Sequence, residues 1–149
     1  MRTAFRVLYY IFLPVLFVWQ LPQHLVACFI FLVNIGSVKR FNVCTSLSYG
    51  KTIPIYKAKR FMFGAGVSLG MFIFLDSKYN WGLKTVLHEN GHRVQSLIFG
   101  PVYLLVIGLP SVIRNIYSRI HHKGSSWYYS GYPEKWADKL GGVKDRTYI

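Results

Sequence analysis

Residues 87–96 read "LHENGHRVQS", which places His88 and His92 four positions apart with Glu89 directly after the first. The stretch belongs to a helix expected from about Leu83 to Phe99, capped upstream by Ser77 or Asn80 and stopped by Gly100 and Pro101. In such a helix, positions i and i+4 share one face a turn apart, so both imidazoles can face a single ion. Glu89 is rotated about 100° from His88 and can reach a water at that ion without occupying the ion itself. These are the parts of metal-assisted hydrolysis: the ion polarises a carbonyl and acidifies a water, and the carboxylate takes the proton. In a chain with five His, chance assembly of H-E-x-x-H has a probability on the order of a few in a thousand. Gly91 inside the motif costs the helix about 1 kcal/mol relative to Ala, which the close approach of a strand or a substrate would explain, as would mere tolerance.

A catalytic zinc site takes three protein ligands and keeps one position open. The other Glu of the chain is Glu134 in "YPEKWADKL" (132–140), and Asp138 follows four residues later on the same face of a short helix expected from about Pro133 to Leu140. Three of the five acidic residues therefore fall into two compact motifs, whereas a solvated surface would scatter them among the 18 Lys and Arg. Asp76, in "FLDS" (74–77), is a rival carboxylate, but it precedes the His pair.

At 149 residues the chain has the size of one domain. It is 52% hydrophobic and 17% aromatic, yet carries a net charge of +13. Such a charge attracts polyanions, either nucleic acid or the anionic headgroups of a cytoplasmic leaflet. No zinc-finger, RNP or KH signature is present, so membrane lipid rather than nucleic acid is the expected anionic partner. Cys28 and Cys44 have no CxxC spacing and are read as buried, inert thiols, with neither a disulfide framework nor a thiolate metal site.

Val7 to Ile35 is almost wholly apolar, interrupted by Pro14 and by "QLPQH" at residues 20–24. As one helix it would be about 44 Å long against a hydrocarbon core of ~30 Å, and each half alone is too short to cross. Pro22 divides it, and Arg2, Arg6, Lys39 and Arg40 place basic residues on both flanks, which favours both ends on the cytoplasmic side. The expectation is a helical hairpin dipping into the bilayer, with one long tilted span as the alternative. Residues 1–40 then form a membrane-embedded anchor, and 41–149 a domain at the cytoplasmic face, integral or monotopic. "LVAC" (25–28) resembles a lipoprotein cleavage box, but apolar "FIFLVNI" follows it, which fits an uncleaved anchor.

Further on, "IPIYKAKRFMF" (53–63) and "VSLGMFIFL" (67–75), joined by Gly64–Gly66, read as a β-hairpin. Lys57, Lys59 and Arg60 mark its first strand as an edge, and Phe61, Phe63, Phe72 and Phe74 are assigned to the core. A third apolar segment, Leu104 to Ile113, is broken by Gly108 and Pro110. If Glu134 joins the His pair, one full crossing by that segment would carry it ~30 Å away, so the segment is re-entrant, buried, or one limb of an up-and-down pair. The closing "GGVKDRTYI" (141–149) reads as a loose basic tail. The fold class expected is α+β: a small sheet with active-site helices, preceded by the helical anchor.

Together "HENGH" and "EKWAD" resemble the gluzincin family of zinc metallopeptidases, whose pattern is H-E-x-x-H on one helix and a ligand Glu on a later one, with Asp four residues beyond it. The resemblance implies a minimal zincin-like domain, His88, His92 and Glu134 as Zn2+ ligands, and Glu89 as general base. It implies Asp138 as the acceptor that orients a ligand imidazole, and a strand within Val67–Leu75 that lays out an extended peptide or protein substrate. His121, His122, Tyr128, Tyr129 and Tyr132 are the candidate donors to a developing oxyanion. "WQLPQ", "SLGMFIFL", "HENGHRVQS", "GPVYLLVIGLPS" and "EKWAD" together also resemble a group of small bacterial membrane-associated proteins with a hydrophobic N-terminus. The expected function is a membrane-associated zinc metallopeptidase. Its rivals are an inactive zincin scaffold that binds lipid or a protein partner and, last, a membrane-anchored nucleic-acid binder.

Overall fold

The apolar N-terminal run folds as two helices, α1 (Phe12–Trp19) and α2 (Leu21–Val33), which meet at 81°. The computed structural model describes residues 12–44, 52–144 and 146; the Arg2 and Arg6 flank lies outside them. The break falls at Gln20, and Pro22 sits in the first turn of α2, where its missing N–H is no loss. The bend removes the straight tilted span, and no single helix among the described residues is long and apolar enough to cross a membrane.

The polar residues of the break are buried rather than solvated. Gln20 Nε2 donates to Ser96 Oγ at 3.1 Å, Gln23 Nε2 donates to the Gly100 carbonyl at 2.5 Å, and Trp19 Nε1 donates to the Leu97 carbonyl at 2.9 Å. His24 Nε2 accepts the Met71 N–H at 3.2 Å. Ala27 and Ile30 of α2 share one core with Ala58, Met62, Leu69 and Phe74, so α2 is built into the domain that follows it. Cys28 is exposed on α2, not buried, because it lies on the side away from Ala27 and Ile30.

The sheet has four strands, β1 (Lys39–Cys44), β2 (Thr52–Ala58), β3 (Gly66–Leu69) and β4 (Phe72–Asp76), in the order β1-β2-β4-β3. β1 and β2 are antiparallel, β2 and β4 parallel, and β3 and β4 antiparallel. The hairpin expected across Gly64–Gly66 is therefore displaced. The chain turns back at Gly70, whose φ of +62° suits the tight β3–β4 turn, and the 59–65 segment carries the chain from β2 past β4 to the oppositely directed edge strand β3. Nor is β2 an edge: it lies between β1 and β4, and Lys57 extends over the Phe41 ring at 5.1 Å. Phe72 and Phe74 pack in the core as expected, but Phe61 and Phe63 are exposed.

Alternation along the strands sends Phe74 to the α2 side and Ile73 and Leu75 to the other, where they meet Ile53, Ile55 and Val86. Val86 belongs to α3 (Leu83–Phe99), so the sheet lies between α2 and α3. The N-cap of α3 is Gly82, not Ser77 or Asn80. The turn before it is held instead by Asp76, whose carboxylate accepts the Gly64 and Lys78 N–H groups at 2.8 and 2.9 Å. After Gly100 the chain passes through a 3₁₀ turn and a π turn (Leu104–Gly108) directly into α4 (Leu109–Ile120). Gly108 and Pro110 do not break this run, because Pro110 lies in the first turn of α4. Two short helices follow, α5 (Ser125–Ser130) and α6 (Glu134–Gly141). The architecture is thus α+β, with a small mixed sheet and helices on both of its faces.

The contact that sets everything downstream is between α3 and α6. A Cβ on Gly91 would lie 1.9 Å from the Ala137 carbonyl oxygen, and one on Gly141 would lie 1.9 Å from that of Leu87. Backbone rests on backbone at both points, so neither neighbour can yield by rotating a side chain. Gly91→Ala and Gly141→Ala are each expected to destabilise by at least the roughly 1–3 kcal/mol of ordinary overpacking. Gly108→Ala, whose Cβ would meet Leu104 at 3.6 Å and the Tyr103 carbonyl oxygen at 3.9 Å, both ordinary contacts, should be neutral or gain up to about 1 kcal/mol of helix propensity. Thermal unfolding in detergent checks this; equal midpoints for all three variants would contradict the tight crossing.

Candidate metal centre

The buried face of α3 is mostly polar: Val86, His88, Glu89, Gly91, His92, Gln95 and Ser96. α6 turns Glu134, Ala137, Asp138 and Gly141 toward it, a spacing of 3, 4 and 7 that lines one helical face. Glu134 stands at the first position of α6, where the helix dipole favours an anion.

Three acceptor atoms converge between the helices. His88 Nε2 lies 3.0 Å from Glu134 Oε2, His92 Nε2 lies 3.2 Å from the same oxygen, and the two Nε2 atoms are 3.2 Å apart. The other ring nitrogens are already committed. His88 Nδ1 sits 2.8 Å from Asp138 Oδ1, a pure acceptor, so it carries the proton. His92 Nδ1 sits 2.7 Å from Gln95 Oε1, while Gln95 Nε2 donates to the Pro133 carbonyl at 3.2 Å, which fixes the amide oxygen toward the imidazole. With both Nδ1–H groups used as donors, neutral rings turn two Nε2 lone pairs and a carboxylate oxygen toward the same point. One proton can bridge one of these contacts; only a cation at the centre satisfies all three. His88, His92 and Glu134 together can hold a metal ion.

Without a metal ion, a proton supplies part of that positive charge. Burial works against a charged His88, but hydrogen bonds to Asp138 and Glu134 outweigh it and raise its pKa to about 9. Burial also opposes ionisation of Glu134, yet the two imidazoles hold its carboxyl well below the usual range. Glu89 is pushed up, chiefly by burial and partly offset by the nearby histidines. Its Oε2 and Glu134 Oε1 are buried without a hydrogen-bond partner. Against Glu89 lies β3, the sheet edge beside α3, where a Cβ on Gly66 would stand 2.5 Å from Glu89 Oε1. Glycine there is what leaves the carboxylate its place.

Asp138 stands where it was expected, behind His88. Its second oxygen is ion-paired with Arg146 Nε at 2.9 Å, and the Arg146 guanidinium covers the Tyr129 ring at 3.5 Å. The tail is therefore anchored at Arg146 rather than loose. Tyr129 in turn stands edge-on to His88, centroids 5.0 Å apart. The Tyr128 hydroxyl pairs with Ser111 Oγ at 3.3 Å, and burial, together with the nearby Glu134 charge, pushes its pKa up. The structure does not bring the remaining candidates to this cluster. His121 and His122 are exposed at the end of α4, with the His121 ring on Tyr117, and Tyr132 donates to the Val106 carbonyl at 2.7 Å. Asp76 is taken up by its turn. Gln95 and Arg146 were not singled out in the sequence; for Gln95, the i+3 spacing from His92 was the available signal.

Searches of protein-family models, of curated proteins and of solved structures return no significant match for this chain. The chemistry of the site therefore rests on its own geometry.

Because the pKa of His88 is raised from 6.5 to about 9 on folding, metal-free protein gains stability from this group that is complete below pH 6.5 and is lost as the pH rises through 9. A dication must displace the same proton, so divalent-ion affinity should rise with pH across that window, by up to roughly tenfold per unit. The increase in melting temperature given by a fixed zinc concentration is expected to be larger at pH 8.5 than at pH 6; a pH-independent increment would contradict it. Asp138→Asn, which removes the anionic partner of His88, should weaken metal affinity by about 10–100-fold, measured by competition with a chromophoric chelator.

Proposed function

We propose that the protein is a membrane-associated zinc metallopeptidase with a minimal zincin-like fold, in which His88, His92 and Glu134 hold the ion and Glu89 is the general base. The observation that carries this reading is the triangle of acceptors with sides of 3.0, 3.2 and 3.2 Å. A tetrahedral zinc with bonds of 2.0–2.1 Å separates its ligand atoms by about 3.3 Å, close to these sides. Two imidazoles with one carboxylate also favour zinc over magnesium or calcium, which prefer all-oxygen sets. When bound, zinc supplies Lewis acidity, polarising a scissile carbonyl and lowering the pKa of a water.

The residues supply the rest. Glu89, buried and with its pKa raised toward that of a stronger base, takes a proton from water and passes it to the leaving amine. Tyr128, placed beside Glu134, is the candidate donor to the developing oxyanion. The Tyr103 hydroxyl occupies the Ser68 carbonyl of β3 at 3.1 Å, so the Gly66 end, next to Glu89, is the part of this edge open to strand addition by a peptide substrate. Membrane association is supported by the outward apolar side chains of α1, α2 and α4, among them Val18, Leu25, Leu32, Leu109, Val112 and Ile116. The basic flanks favour the cytoplasmic side.

A second reading has one observation in its favour. His88, Glu89, His92 and Glu134 are each at most 6% exposed, as in a structural metal site of a membrane protein that binds lipid or a partner without catalysis. Purified without chelator, the wild type should carry one zinc per chain, and His88→Ala and Glu134→Ala should lose it. Glu89→Gln should keep the zinc and lower peptide turnover by about 10²–10⁴-fold. Stoichiometric zinc without turnover in the wild type would assign the second reading, and a metal-free wild type would defeat both.

A further inference from the structure

We infer that Phe61 and Phe63 form an aromatic wedge that seats in the surface of an anionic lipid bilayer. The segment "KAKRFMFGAG" (57–66) brings three basic residues ahead of two phenylalanines that flank a methionine. Met62 is buried at 3% and anchored in the α2-side core, while Phe61 is 57% and Phe63 is 75% exposed. Both phenylalanines have left-handed backbones, φ +64° and +50°, which a side chain with a Cβ adopts only against strain.

The surroundings hold that strain in place. Asn34 Oδ1 accepts the Lys59 and Arg60 N–H groups at 2.9 and 2.7 Å, and Asn34 Nδ2 donates to the Arg60 carbonyl at 3.1 Å. On the far side, Asp76 accepts the Gly64 N–H at 2.8 Å, and Arg119 of α4 donates to the Phe63 carbonyl at 2.9 Å. A loop clamped by α2, β4 and α4 in a disfavoured conformation displays two rings to the outside.

Chemistry selects the occupant. Phe61 stands edge-on to exposed Phe29 of α2 at 5.7 Å and to Phe63 at 6.3 Å, so the wedge continues the outward apolar face of α2. Lys59 and Arg60 are exposed beside it. The four described carboxylates, Asp76, Glu89, Glu134 and Asp138, are all buried, so among the described residues no acidic group faces the wedge's partner. An apolar aromatic tip with a purely basic rim matches a bilayer interface, where rings enter the acyl boundary and cations meet anionic headgroups. It needs neither bound metal nor hydrolysis.

The test uses full-length protein with Cys28→Ser and Cys44→Ser, carrying an environment-sensitive fluorophore on Phe63→Cys and reconstituted into phosphatidylcholine–phosphatidylglycerol vesicles. The label should be quenched by lipids brominated in their acyl chains and protected from aqueous iodide. A label on Lys139→Cys, exposed on α6, should show the opposite. Adding Lys59→Gln and Arg60→Gln, or omitting phosphatidylglycerol, should raise iodide access to the Phe63 label. A Phe61→Cys label reads the same depth independently, should one substitution disturb the loop. Labels at both positions that iodide reaches and brominated lipid does not would overturn the proposal. So would labels shielded from both quenchers, which would assign the patch to a protein contact instead.

Discussion

Two helices can bring ligands from distant parts of a chain to one point only if their axes come close enough, and here the limit is set by two missing side chains. At Gly91 and Gly141 the backbones of α3 and α6 touch directly. Larger residues would hold the helices apart, and Glu134 Oε2 could no longer lie within 3.2 Å of both imidazoles. The helix propensity given up at Gly91 is thus the cost of the site's geometry. Proximity then creates an electrostatic problem. Acceptors pressed together away from water are costly unless a positive charge joins them, and the groups behind them, Asp138 and Gln95, direct both lone pairs inward instead of relieving that cost. The centre can hold a cation, and Asp138 and Gln95 orient its imidazoles accordingly.

The same logic divides the whole molecule by charge. Every described carboxylate is inside, where hydrogen bonds or imidazoles compensate it, and the positive charge is left to the surface. A net +13 spread evenly would work against a compact fold through self-repulsion. In the proposed membrane setting an anionic surface would relieve that repulsion, and the exposed apolar side chains of α1, α2 and α4 would meet a non-aqueous neighbour.

Much of the candidate site was legible in the sequence because helical spacing is a rigid ruler. The i, i+4 pair and the Glu–Asp pair each fix a face, and the limits of α3 followed from the Gly-Pro stop. At Gly91 a strand or substrate, or mere tolerance, was the expectation, and the element that approaches is the helix α6. Strand pairing was not legible. Alternation identifies strands but not whether neighbours run parallel, and the left-handed backbones at Phe61 and Phe63 made a crossover where glycine had marked a turn. The same phenylalanines were assigned to the core because composition gives a ring no direction. Gln95 and Arg146 act on the site only through His92 and Asp138, so no motif announces them. Cys28 and the pair His121 and His122 were judged on residue type, and exposure, which type does not encode, decided otherwise.

The buried polar seam at the bend between α1 and α2 bears on the order in which the molecule can be assembled. His24 bonds the Phe17 carbonyl locally, but the remaining partners of Gln20, Gln23 and His24 are Met71, Ser96 and Gly100, which come much later in the chain. Until residues 96 and 100 exist, the two glutamine amides lack the partners that the fold gives them and depend on water. The final seat of this segment becomes available only once the helix that carries the histidines has formed.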